Sequence, residues 1–126
     1  MTSQHLDGRG KGEFDYDYSH DILFFKIKDR EYDRSIELDN IVVDVDTQKF
    51  LTGIQILEAS KFLRIPKDAL TKIPRWEFCA GVDENKIEIR LTFQTIFRNK
   101  LIEKNPIIIE QLKESLPNSE MVCAIA

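Results

Sequence analysis

Asp44 and Asp46 stand two residues apart in the run Ile41–Asp46, IVVDVD. In a strand, alternate residues share a face, so both carboxylates would point the same way. Glu37 on a neighbouring strand would complete an acidic cluster of the kind that holds a divalent cation or performs general acid–base chemistry. A divalent-metal-dependent enzyme is therefore one reading. The same residues also read as a solvated face beside a turn, with Asp46 bonding turn amides. His20 lies between Asp17 and Asp21, which is a metal-ligand set by type and equally a solvated turn. His5, the other histidine, falls in a polar N-terminal stretch. A histidine-dependent triad or a two-histidine metal centre thus lacks a second ordered histidine. Ser35 and Ser60 read as local hydrogen bonders at element ends. No catalytic residue, metal ligand or cofactor site is assigned, and the chain points away from an enzyme.

A basic set, Arg90, Arg98, Lys100 and Lys104, falls on or after a long strand and near Phe93, Phe97 and Trp76. Cations for phosphate and rings for stacking are what single-stranded nucleic acid binding requires. Phe93 and Trp76 also fit the inward face of a hairpin. The formal charge of −4 provides no basic field over the whole chain, which disfavours nucleic acid. Gly8, Gly10 and Gly12 alternate without a preceding strand, so the dinucleotide-binding fingerprint fails.

The elements that must position these residues are mostly strands. Residues 1–13 hold three glycines and one large apolar residue, Leu6, and read as a flexible tail. Phe14–Tyr18 and Ile22–Lys28 alternate with strand period around the turn Ser19-His20-Asp21. Arg34–Leu38, Ile41–Asp46 and Phe50–Leu57 continue as strands, with Asp39-Asn40 a tight turn. Glu58–Arg64 and Lys67–Ile73 read as short helices, split by Pro66 and ended by Pro74. Trp76–Val82 and Ile87–Phe93 alternate cleanly around the loop Asp83–Lys86, a hairpin whose return reaches about Phe97. Asn105-Pro106 could cap a helix over 106–115, whereas Ile107-Ile108-Ile109 is β-branched and could open a strand. The helix is the favoured choice. Met121–Ile125 reads as a last strand.

The bounds are consistent with one domain. A chain of 126 residues with 42% apolar content carries one core, and neither half has enough for its own. Residues 65–74 are the candidate seam. No apolar run approaches the ~20 residues that span a bilayer, and no signal peptide pattern opens the chain. Cys79 and Cys123 form neither a disulfide framework nor a zinc pattern. No membrane association and a cytoplasmic location are the expectations.

From Tyr16 to Lys61 the pattern resembles the DUF2283 family of small domains of unknown function. The matching pieces are Tyr16-Asp17, Asp21-Ile22-Leu23, Ser35-Ile36-Glu37-Leu38-Asp39, Val43-Asp44-Val45-Asp46 and Gly53-Ile54-Gln55-Ile56-Leu57-Glu58-Ala59-Ser60. The family usually has a glycine in the turn before the Gly-Ile strand, where this chain has Thr47-Gln48-Lys49-Phe50, so the turn must differ. Residues 65–126 exceed the family pattern. The resemblance also implies, for some relatives, an antitoxin-like partnership with a small toxin protein.

The fold expectation is α+β: a twisted antiparallel sheet of about seven or eight strands with two or three short helices. Residues 14–64 would form the DUF2283-like core and 65–126 an extension. The functional expectation is a non-enzymatic interaction module that self-associates as a homodimer, because both faces near Ile96-Phe97 are apolar and a strand edge there could pair across a two-fold axis.

Overall fold

The computed structural model describes residues 4–124. They form eleven strands in two sheets. The smaller sheet takes β2 (Gly12–Asp17), β3 (Ile22–Ile27), β4 (Tyr32–Leu38), β5 (Ile41–Asp46) and β6 (Leu51–Ile56) in the order β2-β3-β6-β5-β4. The larger takes β1 (Gln4–Arg9), β7 (Arg75–Asp83), β8 (Lys86–Phe97), β9 (Lys100–Lys104), β10 (Ile107–Gln111) and β11 (Ser119–Ala124). Its order is β1-β11-β7-β8, with β9 and β10 sharing the far side of β8. Helical structure among the described residues is limited to α1 (Ala59–Leu63) and a 3-10 turn, Lys67–Leu70.

The α+β expectation is therefore corrected: the described chain is nearly all β, in two sheets rather than one. Inward residues of both sheets belong to one buried cluster, in which Leu23, Phe25, Val43, Ile54 and Ile56 meet Trp76, Phe78, Ile89, Leu91 and Phe93. The Phe25 ring meets Trp76 edge-on at 4.9 Å and lies 6.1 Å from Phe93. Period-2 alternation predicts which residues turn inward, but not that a second sheet covers them. Buried Thr95 donates to the carbonyl oxygens of Lys72, at 2.9 Å, and Ala69, which ties the 3-10 segment to β8.

Two further expectations change. Gln4–Arg9, read as part of a flexible tail, is a strand paired in parallel with β11. Gly8 in this strand and Gly12 at the start of β2 are sites of close approach: a Cβ on Gly8 would strike Ile27, and one on Gly12 would strike Trp76. The helix expected over 106–115 is strand β10 instead. Its isoleucines pair with β8, Ile108 opposite Ile89, and β-branched side chains suit that surface. β9 and β10 also share one register on β8. Lys104 lies opposite Phe93, and Ile107, three residues on, lies opposite Arg90, three residues back. They are one edge strand from Lys100 to Gln111. It begins after the two-residue turn Arg98-Asn99, whose φ values are 51° and 61°, as a type I′ turn requires.

The β5–β6 turn, where the family usually has a glycine, carries a strained residue. Lys49 takes φ 69°, a conformation that costs an L-residue about 1–2 kcal/mol relative to a right-handed one. Lys49→Gly should therefore stabilise the fold by roughly 0.5–1 kcal/mol after the flexibility that glycine adds to the unfolded chain. Thermal unfolding of the two chains checks this, with a rise of a few degrees expected.

Candidate functional site

The family-like residues separate into three polar groups. In the first, Asp21 is buried at 8% exposure in the β2–β3 turn. The Tyr16 hydroxyl donates to it at 2.6 Å, and the Ser60 hydroxyl and amide donate at 2.6 and 3.0 Å. Ser60 lies in the first turn of α1, which Glu58 enters with φ 49°. Asp21 thus satisfies a helix-end amide that would otherwise lack a partner and joins the first hairpin to α1. Burial alone would push its carboxyl up, but the hydrogen bonds from Ser60 and Tyr16 outweigh burial and hold it below the usual carboxylate value. Tyr16 is pushed well above the usual phenol value by burial and by the Asp21 carboxylate. This group is structural.

The second group is the β5–β6 turn. Asp46 is 1% exposed and accepts the amides of Gln48 at 2.8 Å and Phe50 at 3.0 Å. Arg30 closes the pair with Nη2 at 2.6 Å and lies over the Phe50 ring. The register shifts beside this stretch fall in the neighbouring strands, at Asp33 and Thr52, and not within β5. Asp46 is taken up by turn amides and Arg30, and Asp44 by Ser35 and Gln55, so the acidic cluster is not assembled.

The third group faces outward. Glu13, Lys26, Gly53, Asp44 and Ser35 form one row across all five strands of the smaller sheet. Lys26 pairs with Glu13 at 3.0 Å. Ser35 donates to Asp44 at 2.8 Å, so the Tyr32 hydroxyl, 2.7 Å away, donates to Ser35. Gln55 Nε2 reaches Asp44 at 3.3 Å. Gly53 makes room for this carboxylate, since a Cβ there would lie 2.8 Å from Asp44 Oδ2. A shallow depression of about 470 Å³ opens beside Phe24, Lys26 and Asp44. The row offers fixed donors and acceptors to a polar partner.

The remaining candidates are dispersed. His20 and Asp17 come together at 2.8 Å, while Asp21 turns away to Tyr16 and Ser60. His5 pairs with Glu120. Among the described residues no group of three or more His, Cys, Asp or Glu side chains is placed to hold a metal ion. Arg90 lies on the outer face of the larger sheet, paired with Glu88 at 3.2 Å. Lys104 alternates to the opposite face, and Arg98 and Lys100 stand at the hairpin end, Arg98 over Phe97. The four bases do not converge, and Phe93 and Trp76 are core. Cys79 is half-buried and Cys123 is fully buried, and both are free thiols. Their neighbouring registers, Cys79 opposite Val122 and Cys123 opposite Phe78, put them on opposite faces of the sheet. Burial pushes the Cys123 thiol up to about 12.

Sequence reasoning placed a strand edge near Ile96-Phe97, but β9 pairs with that stretch, and the unpaired edge among the described residues lies on the next strand. Lys100–Gln111 pairs with β8 on one side only. Leu101, Ile107 and Ile109 on it are 64%, 57% and 52% exposed, and Ile96, opposite Leu101, is 62% exposed. The signal was the alternation Leu101, Glu103, Asn105, Ile107, Ile109, which a helical reading of 106–115 interrupts.

Because the Asp21 carboxyl is held below its usual value, its contribution is complete above the unfolded value near 3.8 and is lost as pH falls through the lower folded value. Asp21→Asn should cost about 1–3 kcal/mol at neutral pH. Urea unfolding of both chains should show that gap at neutral pH, and the gap should narrow as pH falls below 3.8 toward the lower folded value.

Residues 13–60 match the family described as "Protein of unknown function (DUF2283)". A protein of Methanosarcina mazei named "Putative hypoxanthine phosphoribosyltransferase" is 33% identical over 92 residues, which is 73% of this chain and 75% of that one. An uncharacterized protein of Methanocaldococcus jannaschii is 28% identical over 99 residues, 78% of this chain and 85% of that one. No solved structure gives a significant match, and no described helix is long and apolar enough to cross a membrane. The chain belongs to the family of the Methanosarcina protein, and its residues 13–60 match DUF2283.

Proposed function

We propose that this chain is a self-associating interaction module that pairs through the free edge of its larger sheet. The observation that carries this reading is the 12-residue edge from Lys100 to Gln111 with Leu101, Ile107 and Ile109 more than half exposed. An unpaired edge presents a row of free N–H and C=O groups, and exposed isoleucines on it favour pairing with another strand. Other strands at sheet edges present less apolar surface: β1 exposes His5, Asp7 and Arg9, and β4 exposes Asp33, Ser35 and Glu37 with one aromatic, Tyr32. The polar row on the smaller sheet remains free for a second partner. In this reading the protein acts by binding.

The name of the Methanosarcina relative carries a second reading, transfer of a phosphoribosyl group to hypoxanthine. Such chemistry calls for backbone amides gathered around a phosphate, usually at a glycine-rich turn and a helix N-terminus. Here Gly8, Gly12, Gly53 and Gly81 stand within strands. Incubation with hypoxanthine and a phosphoribosyl donor, followed by chromatography for the nucleotide product, tests that reading, and no product is the expected outcome.

Self-association is tested by light scattering behind size exclusion at high micromolar concentration. The expected mass is twice the 14.7 kDa of the chain, with an absorbance ratio free of nucleic acid. Ile107→Lys with Ile109→Lys, a charged edge of the kind that blocks strand pairing, should return the mass to that of one chain and leave the circular dichroism unchanged. A natural chain that stays monomeric, or a peak carrying nucleic acid, overturns the proposal.

A further inference from the structure

The free edge has a register of its own. Leu91 N–H donates to the Pro106 carbonyl oxygen at 3.1 Å, and Leu112 N–H donates to the Asn85 oxygen at 2.7 Å. In an antiparallel ladder, bonding residues alternate. The even-numbered residues from Lys100 to Leu112 therefore direct their backbone groups at β8. The odd-numbered residues, Leu101 through Gln111, direct theirs away from the sheet. Pro106, the one residue of this edge without an N–H, is even-numbered. Its missing donor falls on the β8 side, so the outer edge keeps every donor it could use. Proline commonly blunts such an edge; at this position it does not.

We infer that the partner on this edge is a second copy of the chain, joined antiparallel about a two-fold axis at Ile108; this rests on the self-association proposed above. Two constraints fix the register. Outward-bonding residues must face outward-bonding residues, which excludes every arrangement that sets odd against even. Among those left, the axis at Ile108 sets Ile107 against Ile109 of the second copy, and Ile109 against its Ile107. Both exposed isoleucine pairs are then covered on one face, while Ile108 faces its own copy on the inner side. The same axis sets Asn105 against Gln111, two amides, and Glu103 against Lys113, opposite charges that both lie exposed in the single chain. An axis at Ile107 also sets odd against odd but puts Ile109 against Asn105, and one at Pro106 makes a longer ladder but sets Glu103 against Ile109 and Asn105 against Ile107, so both leave isoleucines against polar side chains. Cross-strand pairs of like character are the stabilising unit of a sheet, and they select Ile108. The two larger sheets would then run as one across both copies.

Amide hydrogen exchange on the unmodified chain, followed residue by residue by NMR between low and high micromolar concentration, tests the register. The amides of Asn105, Ile107, Ile109 and Gln111 should slow at least about tenfold on dimerisation, and that of Leu101, which falls opposite Ser115 beyond the strand, should not. If Leu101 slows as well, the axis lies before Ile108 and the register is wrong while self-association stands. If no edge amide changes although the mass doubles, the copies meet elsewhere and the inference fails. If the mass does not double, the reading beneath it fails too.

A second measurement uses disulfides in a Cys79→Ser background. Residues directly opposite in a bonded pair have Cα atoms about 5.5 Å apart, within disulfide reach. Ile107→Cys mixed with Ile109→Cys should cross-link at least about fivefold faster than either alone, because identical positions are offset by two residues, beyond about 7 Å. Equal rates in the mixture and in the separate variants would overturn the register.

Discussion

The contact of Phe25 with Trp76 across the two sheets is the interaction on which the rest depends. Phe25 belongs to the smaller sheet and Trp76 to the larger, and their edge-on packing brings the two inner faces together. Aromatic pairs in this geometry contribute about 0.5–1.5 kcal/mol beyond the area they bury. Their larger effect is geometric. With Trp76 seated under β3, the chain must pass from one sheet to the other close beside it. Gly12 makes that crossing, at a point where any side chain would strike the indole. Gly8 likewise lies against Ile27. The N-terminal glycines are therefore fitted to this core.

Three of the five aspartates of the family-like pattern, Asp21, Asp44 and Asp46, show why motif residues need not be catalytic. Asp21 joins a turn to α1, and Asp46 closes a turn with Arg30. Only Asp44 faces outward, held by Ser35 and Gln55. Buried carboxylates are tolerated where donors surround them, and both buried ones here accept backbone amides. They hold hairpins in register, which suits a pattern that recurs across proteins without an assigned activity.

Much of the local structure was legible. The hairpin Trp76–Phe93 and the strands of 14–57 follow from period-2 alternation, and the turn residues mark their ends. The second sheet was not legible, because alternation tells which side chains turn inward but not what covers them. β1 was hidden for a related reason: with Leu6 as its large apolar residue, it depends on β11 at the other end of the chain, a non-local partner that no short window reveals. At Ile107–Ile109, β-branched residues competed with a good helix-start signal at Asn105-Pro106, and the empty place beside β8 decided the outcome. Among the candidate site residues, Asp17 with His20 was legible from their spacing. The separate engagement of Asp44 and Asp46 was not, because it depends on partners elsewhere in the chain, Ser35 and Gln55 for one and Arg30 for the other.

The parallel pairing of β1 with β11 also sets the order of assembly during synthesis. Gln4–Arg9 is made long before its partner Ser119–Ala124. Contacts between distant parts of a chain form late and slowly. β1 must therefore stay unpaired until β11 has been made, and the larger sheet gains both strands in one late step.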